Sequence, residues 1–252
     1  MLKLTTYSTD GMGSGASANR ELTEEEKAKL AELKAMSPEA QQELAVNAMR
    51  DVLQASIEYS VTKGKLPETW EEESYKIPCP KVGEFQDVAE AVAKVPLVGK
   101  GLAAAVMAPV ENVLKSFADC GKTVFEQPTL LEGLHSIVAK IDVATAIELG
   151  ERGGFAYSEY MIQQSREKLS VALNTVVEEV LKTHAITTVW SGAIEAYNKA
   201  ASKIPGMETF EFDLSDYVLA QIMASLGAMI FEKESSVRAG HVEGMSASVV
   251  KV

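Results

Sequence analysis

The most constraining feature of the sequence is the stretch from Gly150 to Leu181, which contains neither proline nor glycine after its glycine pair. Its apolar residues recur three, four or seven positions apart, at Ile162, Leu169, Leu173, Val176 and Val180. These spacings place them on one face of an α-helix. The rest of the circumference carries mainly polar residues: Ser165, Glu167, Lys168, Glu178 and Glu179. The pattern predicts a long amphipathic helix with shorter helices packed along its apolar stripe.

The composition favours helices over sheets. Aromatic residues make up only 6% of the 252 residues, whereas alanine, leucine, valine and methionine are plentiful. The apolar content of 46% and charged content of 24% are ordinary for a globular protein with one sizeable core. We therefore expect an all-α fold, an irregular helical bundle around one or two long amphipathic helices, with extended N- and C-terminal arms.

The net charge of -12 excludes several classes of partner. It repels nucleic-acid phosphates and anionic lipids, and the Lys and Arg residues are scattered singly rather than gathered in a basic patch. The two cysteines, Cys79 and Cys120, fit reduced intracellular thiols better than a disulfide framework. The first residues lack the apolar core of a signal peptide, and the longest apolar run, 101–110, is shorter than the ~20 residues of a membrane span. We expect a soluble intracellular protein of the cytoplasm or cytoskeleton.

Glycine, serine and proline divide the chain into five parts. We expect a flexible arm at 1–22, an N-terminal helical extension at 23–64, a proline-containing linker without regular structure at 65–81, a helical bundle domain at 82–235 and a tail at 236–252.

Capping residues predict where the helices begin and end. A helix begins at Glu24 after a capping box at Thr23, and another at Ser37-Pro38 runs to Gly64. A short amphipathic helix follows around 85–92. Residues 99–119 are predicted to be helical, with Pro109 kinking the helix or dividing it in two, and Gly121 ends it. Further helices are predicted at 128–139, from an Asp142 cap to Leu149, from about 189 to 203, and after an Asp213 cap; a turn is predicted around 184–188.

Several short motifs occur in a characteristic order. They are the Ile77-Pro78-Cys79-Pro80 segment, Asp142, the pair Gly153-Gly154, Ala156 to Tyr160, the pair Tyr197-Asn198, and Asp213-Leu214-Ser215-Asp216-Tyr217-Val218. In this order and spacing the chain resembles the all-helical domain-of-unknown-function family numbered 4197, over about Ile77 to Arg238. The resemblance implies an all-helical fold and a structural role for the motif positions, and it implies no activity. It also implies that the helices before Gly64 are additions.

The most tempting chemical motif is Ser116 to Thr123, which ends in Gly-Lys-Thr like a phosphate-binding loop. Ser116 stands where that loop has its first glycine, and no parallel sheet is in prospect. We therefore interpret Gly121 as the end of a helix.

Other reactive residues have equally plain interpretations. His135, His184 and His241 lack partners at metal-ligand spacing, and the carboxylate runs at 71–73 and 178–179 are typical of solvated faces. Cys79 between Lys76 and Lys81 could be a reactive thiol. The methionines either fill the core or line an adaptable apolar pocket: Met107, Met161, Met223 and Met229. Gly227 would permit close helix packing or leave a void.

We therefore expect no catalytic residue, cofactor or metal. The leading hypothesis is a non-catalytic structural or adaptor component of a larger intracellular assembly, with a cytoskeletal or axonemal complex as one setting. It would bind other proteins through its helical surface and its terminal arms. The alternative is a carrier for an apolar small molecule or lipid, held in a cavity between the long helix and the last helix.

Overall fold

The computed structural model describes residues 24–78, 116–152, 155–202, 209, 211 and 213–238. Regular structure within these residues is helical throughout, so the predicted all-α fold is confirmed. The elements are α1 (Glu24–Ala35), α2 (Pro38–Gly64), a 3-10 helix (Pro67–Glu71), α3 (residues 116–126), α4 (Pro128–Ala139), α5 (Val143–Arg152), α6 (Ala156–Thr183), α7 (Ile186–Ala201) and α8 (Leu214–Arg238). The predicted arm at 1–22, the helix predicted around 85–92, the part of the predicted 99–119 helix before residue 116, and the residues beyond 238 lie outside the described part.

Local capping explains where the helices begin. The Ser37 hydroxyl accepts a hydrogen bond from the backbone N–H of Ala40 at 3.2 Å, with Pro38 at the first helical position. Asp142 accepts one from the N–H of Thr145 at 2.8 Å, and Asp213 accepts one from the N–H of Asp216 at 3.1 Å. All three caps were predicted, because a short polar side chain satisfies N–H groups that have no partner within the helix.

Four helices make the most extensive contacts around the core, to which the other described elements add side chains. Helix α8 packs against both α2 and α6, and α4 also contacts both α2 and α6. These contacts close a ring around a single cluster of buried side chains. Helix α2, predicted as part of an extension, therefore shares one core with the predicted bundle domain, and the long helices number three rather than one or two.

The buried stripe of α6 is broader than the predicted one. Leu169 and Leu173 are buried as expected, together with Met161, Val177 and Leu181, whereas Ile162, Val176 and Val180 are only half-buried. Ser165, which was predicted to face outward, is fully buried. Its hydroxyl donates to the carbonyl oxygen of Met161 at 2.6 Å, so burying it leaves no polar group unsatisfied.

Residues 65–78 of the segment predicted as an unstructured linker form a folded strap over the core, and residues 79–81 lie outside the described part. The strap contains the 3-10 helix, and its Trp70 is 3% exposed. The Trp70 indole donates to the carbonyl oxygen of Gly64 at 2.9 Å, and its ring meets Phe125 edge-on with centroids 5.6 Å apart. The prediction was wrong because Pro67 begins the 3-10 helix instead of preventing it, and because burial of a large aromatic side chain is strongly favourable.

Gly121 does not end a helix, which corrects a second prediction. Helix α3 continues through it to residue 126, and a Cβ built at Gly121 would lie 2.5 Å from Cε2 of Trp70. The missing side chain lets the indole lie directly on the helix backbone. The glycine is therefore a packing residue.

Two other boundaries differ from the predicted ones. The turn after α6 is confined to His184 and Ala185, where Ala185 has a φ of 55°, and α7 begins at once at Ile186. Helix α8 extends past the predicted start of the tail, because Glu234 and Val237 are both buried.

Within the described residues, one helix is long and apolar enough to cross a membrane by length and composition alone. It is α8, from Leu214 to Val237, and half of its most apolar window is buried. A core helix of a soluble bundle passes the same test, and α8 contacts α2 and α6 along its length. The expected absence of a membrane span stays a prediction.

Candidate functional site

An open groove of about 770 Å³ runs between the N-terminal half of α6 and the C-terminal half of α8. Its apolar lining consists of Phe155, Ile162, Gly227, Ala228 and Phe231. The groove lies where the small-molecule hypothesis placed a cavity, but it opens to solvent along one side. We take it as the candidate site and call it the α6–α8 groove.

An exposed aromatic pair closes one end of the groove. The rings of Phe155 and Phe231 have centroids 3.8 Å apart and are tilted by 44°. Although the rings cover each other, the residues remain 45% and 38% exposed. Paired exposed aromatics at the edge of a groove are typical of binding surfaces rather than of a solvated helix face.

The floor of the groove is a tight helix–helix contact. A Cβ built at Gly227 would lie 2.6 Å from Cδ1 of Ile162, so the end of the Ile162 side chain lies directly on the α8 backbone at this glycine. Ala228, beside it, keeps the α8 wall low. Of the two interpretations of Gly227 from the sequence, close packing is confirmed.

The rim of the groove carries three charged residues among those that line it: Glu159, Arg166 and Glu167. Arg152 pairs with Glu159 at 2.9 Å, and the Gln163 side-chain amide donates to Glu167 at 3.4 Å, which leaves the charge of Glu167 in place. Arg166 is exposed, and no described acidic residue forms an ion pair with it. Arg166 is therefore the cation of the groove lining that is open to a bound partner.

A buried polar contact lies directly beneath the groove. Glu234 on α8 is fully buried, and its carboxyl group accepts a hydrogen bond from the hydroxyl of Ser158 on α6. Ser158 is 5% exposed and contributes to the groove lining. The contact fixes the register of the two helices that form the groove, since a buried polar group is costly without its partner.

A second polar cluster, centred on Lys63 and Glu232, lies where the strap meets α8. The Lys63 ammonium is 3.2 Å from Glu232 and 3.6 Å from Glu72, and it lies 4.5 Å from the centroid of the Tyr75 ring. The Tyr75 hydroxyl also donates to Glu232. The cluster ties α2, the strap and α8 together.

The cluster shifts the pKa values of its members in directions that hold the charged pair together. Burial lowers the pKa of Lys63, but hydrogen bonds to Glu232 and Tyr75 outweigh it, so that pKa lies above its usual value. Burial raises the pKa of Glu232, but hydrogen bonds from the tyrosines and the ammonium lower it more. Burial and the hydrogen bond to Glu232 raise the pKa of Tyr75 to about 12. None of these groups is poised to exchange a proton near neutral pH, so the cluster is a structural clamp.

The family-motif positions are brought together in pairs. The Tyr217 hydroxyl donates to the carbonyl oxygen of Pro78 at 3.0 Å, and Ile77 beside it is buried. Asp142 lies close enough to Tyr160 to raise the pKa of that phenol, in addition to the larger effect of burial. These contacts agree with a structural role for the motifs.

The remaining motif positions are spread over the chain. Asp213 caps α8 and Asp216 lies exposed in its first turn. Tyr197 and Asn198 lie in α7, and Asn198 is half-buried. Three positions fall outside the described residues: Pro80, Gly153 and Gly154.

The residues that suggested chemistry have structural positions. Gly121, Lys122 and Thr123 lie inside α3 and form no phosphate-binding loop. Burial, with a smaller effect of Asp119, raises the pKa of the Cys120 thiol to about 12, so it is not activated as a nucleophile. Among the described residues no group of three His, Cys, Asp or Glu side chains could hold a metal ion.

The other candidates divide in the same way. Met161, Met223 and Met229 are core residues, and residues 71–73 are exposed. Cys79, Met107 and His241 fall outside the described part of the chain.

Sequence reasoning did not identify the residues of the groove, apart from Gly227 and Ile162. The available signal was Phe231, which follows Gly227 by four positions and so shares its helical face. Nothing in the sequence pairs Phe231 with Phe155, because that contact depends on how α6 and α8 pack.

The comparisons with known proteins give one match. The sequence model of the family described as Protein of unknown function (DUF4197) matches residues 39–252. The match begins well before Ile77, so nearly all of α2, which was expected to be an addition, falls within the family's domain. No curated protein and no solved structure matches the sequence.

Proposed function

The chain belongs to the DUF4197 family, and we propose that it is a non-catalytic binding module that joins a larger intracellular protein assembly. The observation that carries the proposal is the α6–α8 groove with its exposed Phe155–Phe231 pair. Large aromatic side chains are the commonest energetic anchors of protein–protein interfaces. The proposal includes no catalytic step, cofactor or metal.

The open side of the groove favours a protein over a small molecule as the partner. Small-molecule sites are usually concave enough to bury 70–90% of their ligand's surface. A ligand lying in the α6–α8 groove would keep one side in water, whereas a protein segment covers the groove with its own surface. The small side chain of Ala228 keeps the α8 wall low, which gives a partner room to approach.

The proposal also includes the terminal arms and an intracellular setting, of which a cytoskeletal or axonemal complex is one. Because α8 continues to Arg238 with Val237 buried, a test of the C-terminal arm should remove residues 239–252 and leave 236–238 in place. Removal of 1–22 and 239–252 is expected to weaken incorporation into the assembly while helical content and melting temperature stay nearly unchanged.

A capture experiment with matched variants tests the role of the groove. Tagged wild-type protein, the double variant Phe155→Ser/Phe231→Ser and the control Val171→Ser are incubated with extract of the native cell, and bound proteins are quantified by mass spectrometry. Val171 is 85% exposed and lies outside the groove, so its replacement removes an exposed apolar side chain of α6 without touching the site. We expect a partner that the wild type and the control retain equally and the double variant loses. An identical set of bound proteins for all three would refute the proposal.

A second candidate function is the carriage of an apolar small molecule or lipid. It is favoured by the volume of the groove, about 770 Å³, which lies within the range of ligand sites. A ligand at a hundredfold excess over its dissociation constant would stabilise the protein by about 2.7 kcal/mol. A lipid panel that shifts the melting temperature of the wild type but not of Phe231→Ser would favour this function over the first.

A further inference from the structure

The geometry of the α6–α8 groove also indicates the chemistry of its partner, and this step rests on the proposed function. We propose that the groove accepts an amphipathic helix of another protein. That helix carries an apolar anchor at one end and an acidic residue about three turns away. The anchor packs against the Phe155–Phe231 pair, and the acidic residue meets Arg166.

The length of the groove fits a helix of about three turns. Its lining on α6 extends from Phe155 to Glu167, which spans about 18 Å at a rise of 1.5 Å per residue. Phe155 and Arg166 are eleven residues apart, or about 16 Å. A partner helix lying alongside α6 has the same rise, so its anchor and its acidic residue would also be about eleven residues apart.

The low α8 wall suits a helix better than an extended chain. Packed helices lie 8–10 Å apart, and small residues at the contact allow the shorter distances. Ala228 provides such a small residue on α8, and the Ile162 side chain fills the space at Gly227 with apolar surface. A helix can therefore lie in the groove with its apolar stripe on Ile162, in the manner of other helix-in-groove complexes.

The far end of the groove carries a cation, Arg166, next to the carboxylate of Glu167. Arg166 forms no ion pair with a described residue, and its neighbours three and four positions away on α6 are uncharged: Ile162, Gln163, Leu169 and Ser170. Its side chain is exposed. An acidic residue of the partner would complement it.

The two acidic residues of the groove rim lie farther from the axis of the groove than Arg166 does. At 100° per residue, Arg166 is about 40° from Ile162 around the helix, whereas Glu167 is about 140° away and so points towards the outer edge. Glu167 accepts a hydrogen bond from Gln163, and Glu159 is paired with Arg152. Arg166 is therefore the charge closest to the axis of the groove.

Selection from a peptide library tests the proposal. Phage-displayed helical peptides of about 18 residues, with a fixed apolar stripe and randomised polar positions, are selected on the wild-type protein. Peptides that also bind Phe155→Ser/Phe231→Ser are removed. The same selection is run on Arg166→Glu and on Lys168→Glu. Lys168 is an exposed cation of α6 that lies outside the groove, and its ammonium donates to Gln164 at 2.7 Å. Lys168→Glu is therefore a control that makes the same change in charge as Arg166→Glu without altering the groove.

The proposal predicts Asp or Glu about eleven residues from the anchor in peptides selected on the wild type and on Lys168→Glu. It predicts Lys or Arg at the same position in peptides selected on Arg166→Glu. Changing that acidic residue to Lys in a selected peptide is expected to weaken binding to the wild type by about fivefold, as for a partly exposed ion pair, and to strengthen binding to Arg166→Glu.

The same charge preference on wild type and Arg166→Glu would overturn the proposal, and so would failure to select any peptide that depends on the phenylalanine pair. A rise in melting temperature with dodecanoate, abolished by Arg166→Gln and without any selected peptide, would assign the groove to a small amphiphile instead. The proposed function is tested separately by the native capture experiment. If capture depends on the phenylalanine pair but not on Arg166, the groove still binds a protein, and only the proposed amphipathic helix with its acidic residue is ruled out.

Discussion

The hydroxyl of Tyr217, in the first turn of α8, donates a hydrogen bond to the carbonyl oxygen of Pro78 at 3.0 Å. The two residues belong to motifs that lie 139 positions apart in the sequence and both contribute to the family resemblance. The bond fastens the end of the strap to the start of α8. The fold therefore brings together two motifs that are far apart in the sequence.

Replacement of Tyr217 by phenylalanine tests this junction. The change removes one partly exposed hydrogen bond and keeps the ring, so the free energy of unfolding should fall by about 0.5–1.5 kcal/mol in urea titrations. Tyr160→Phe is the control, because the half-buried Tyr160 hydroxyl forms no hydrogen bond with a described residue. Equal losses for the two variants would contradict the assigned role of the Tyr217 bond.

Two glycine-to-alanine substitutions distinguish the effect of packing on stability from the effect of helix propensity. Gly121→Ala places a methyl group against the Trp70 ring and should reduce the free energy of unfolding by about 1–3 kcal/mol. Gly192→Ala, in α7, meets no atom within 4 Å and should stabilise the protein by up to about 1 kcal/mol, because alanine favours helix. Thermal or urea unfolding measures both. A stabilising Gly121→Ala would mean that Trp70 does not lie on that glycine.

The Lys63–Glu232 cluster predicts a loss of stability in acid. Because the pKa of Glu232 is lowered in the folded state, its contribution is present above its ordinary value of 4.5 and is lost as pH falls through the lower folded pKa. Glu232→Gln should therefore be less stable than the wild type near neutral pH, and the difference should shrink as pH falls below about 4.5. Urea unfolding as a function of pH measures the difference.

At alkaline pH, stability is lost as the pH rises, and the group responsible is Tyr75. The pKa of Tyr75 is raised, so its contribution to stability is present below its ordinary value of 10.0 and is lost as pH rises towards about 12.

Glu71→Gln, which removes an exposed carboxylate outside the cluster, is the control for Glu232→Gln and should follow the wild type at every pH. A difference between Glu232→Gln and wild type that is constant from pH 3 to 8 would contradict the acid prediction.

The buried Ser158–Glu234 contact predicts a further stability difference. Ser158→Ala leaves the Glu234 carboxyl group without this donor and should cost about 1–3 kcal/mol in the free energy of unfolding. Ser170→Ala, whose hydroxyl bonds only to the backbone of its own helix, should change stability by less than about 0.5 kcal/mol. A neutral Ser158→Ala would show that Glu234 does not depend on this hydroxyl.

Helix positions were largely predictable from the sequence because their signals are local. Ser37, Asp142 and Asp213 act within three residues of themselves, and the bounds of α4 followed from the apolar pattern after Pro128. The misread positions are those that depend on distant residues. Gly121 was interpreted as a helix end because its packing against Trp70 cannot be recognised from the sequence.

The candidate site could be predicted only in outline. The sequence allowed a cavity between the long helix and the last helix, and a groove lies there. Its aromatic end requires Phe155 and Phe231 to meet across 76 residues, and no periodicity in either helix encodes that meeting. The burial of Ser165 and Glu234 was not predicted either. Polar residues in an amphipathic pattern are interpreted as solvent-facing, although local or tertiary hydrogen bonds can permit their burial.

Photo-crosslinking from inside the groove tests the central claim most directly. A benzophenone amino acid is placed at Gln163, on the groove rim, or at the exposed Thr187 of α7, and each protein is irradiated in native extract. The account predicts a discrete crosslinked partner from position 163 that is absent from position 187, and that is lost in the Phe231→Ser background. The same product from both positions, or one that persists without Phe231, would contradict a partner docked in the α6–α8 groove.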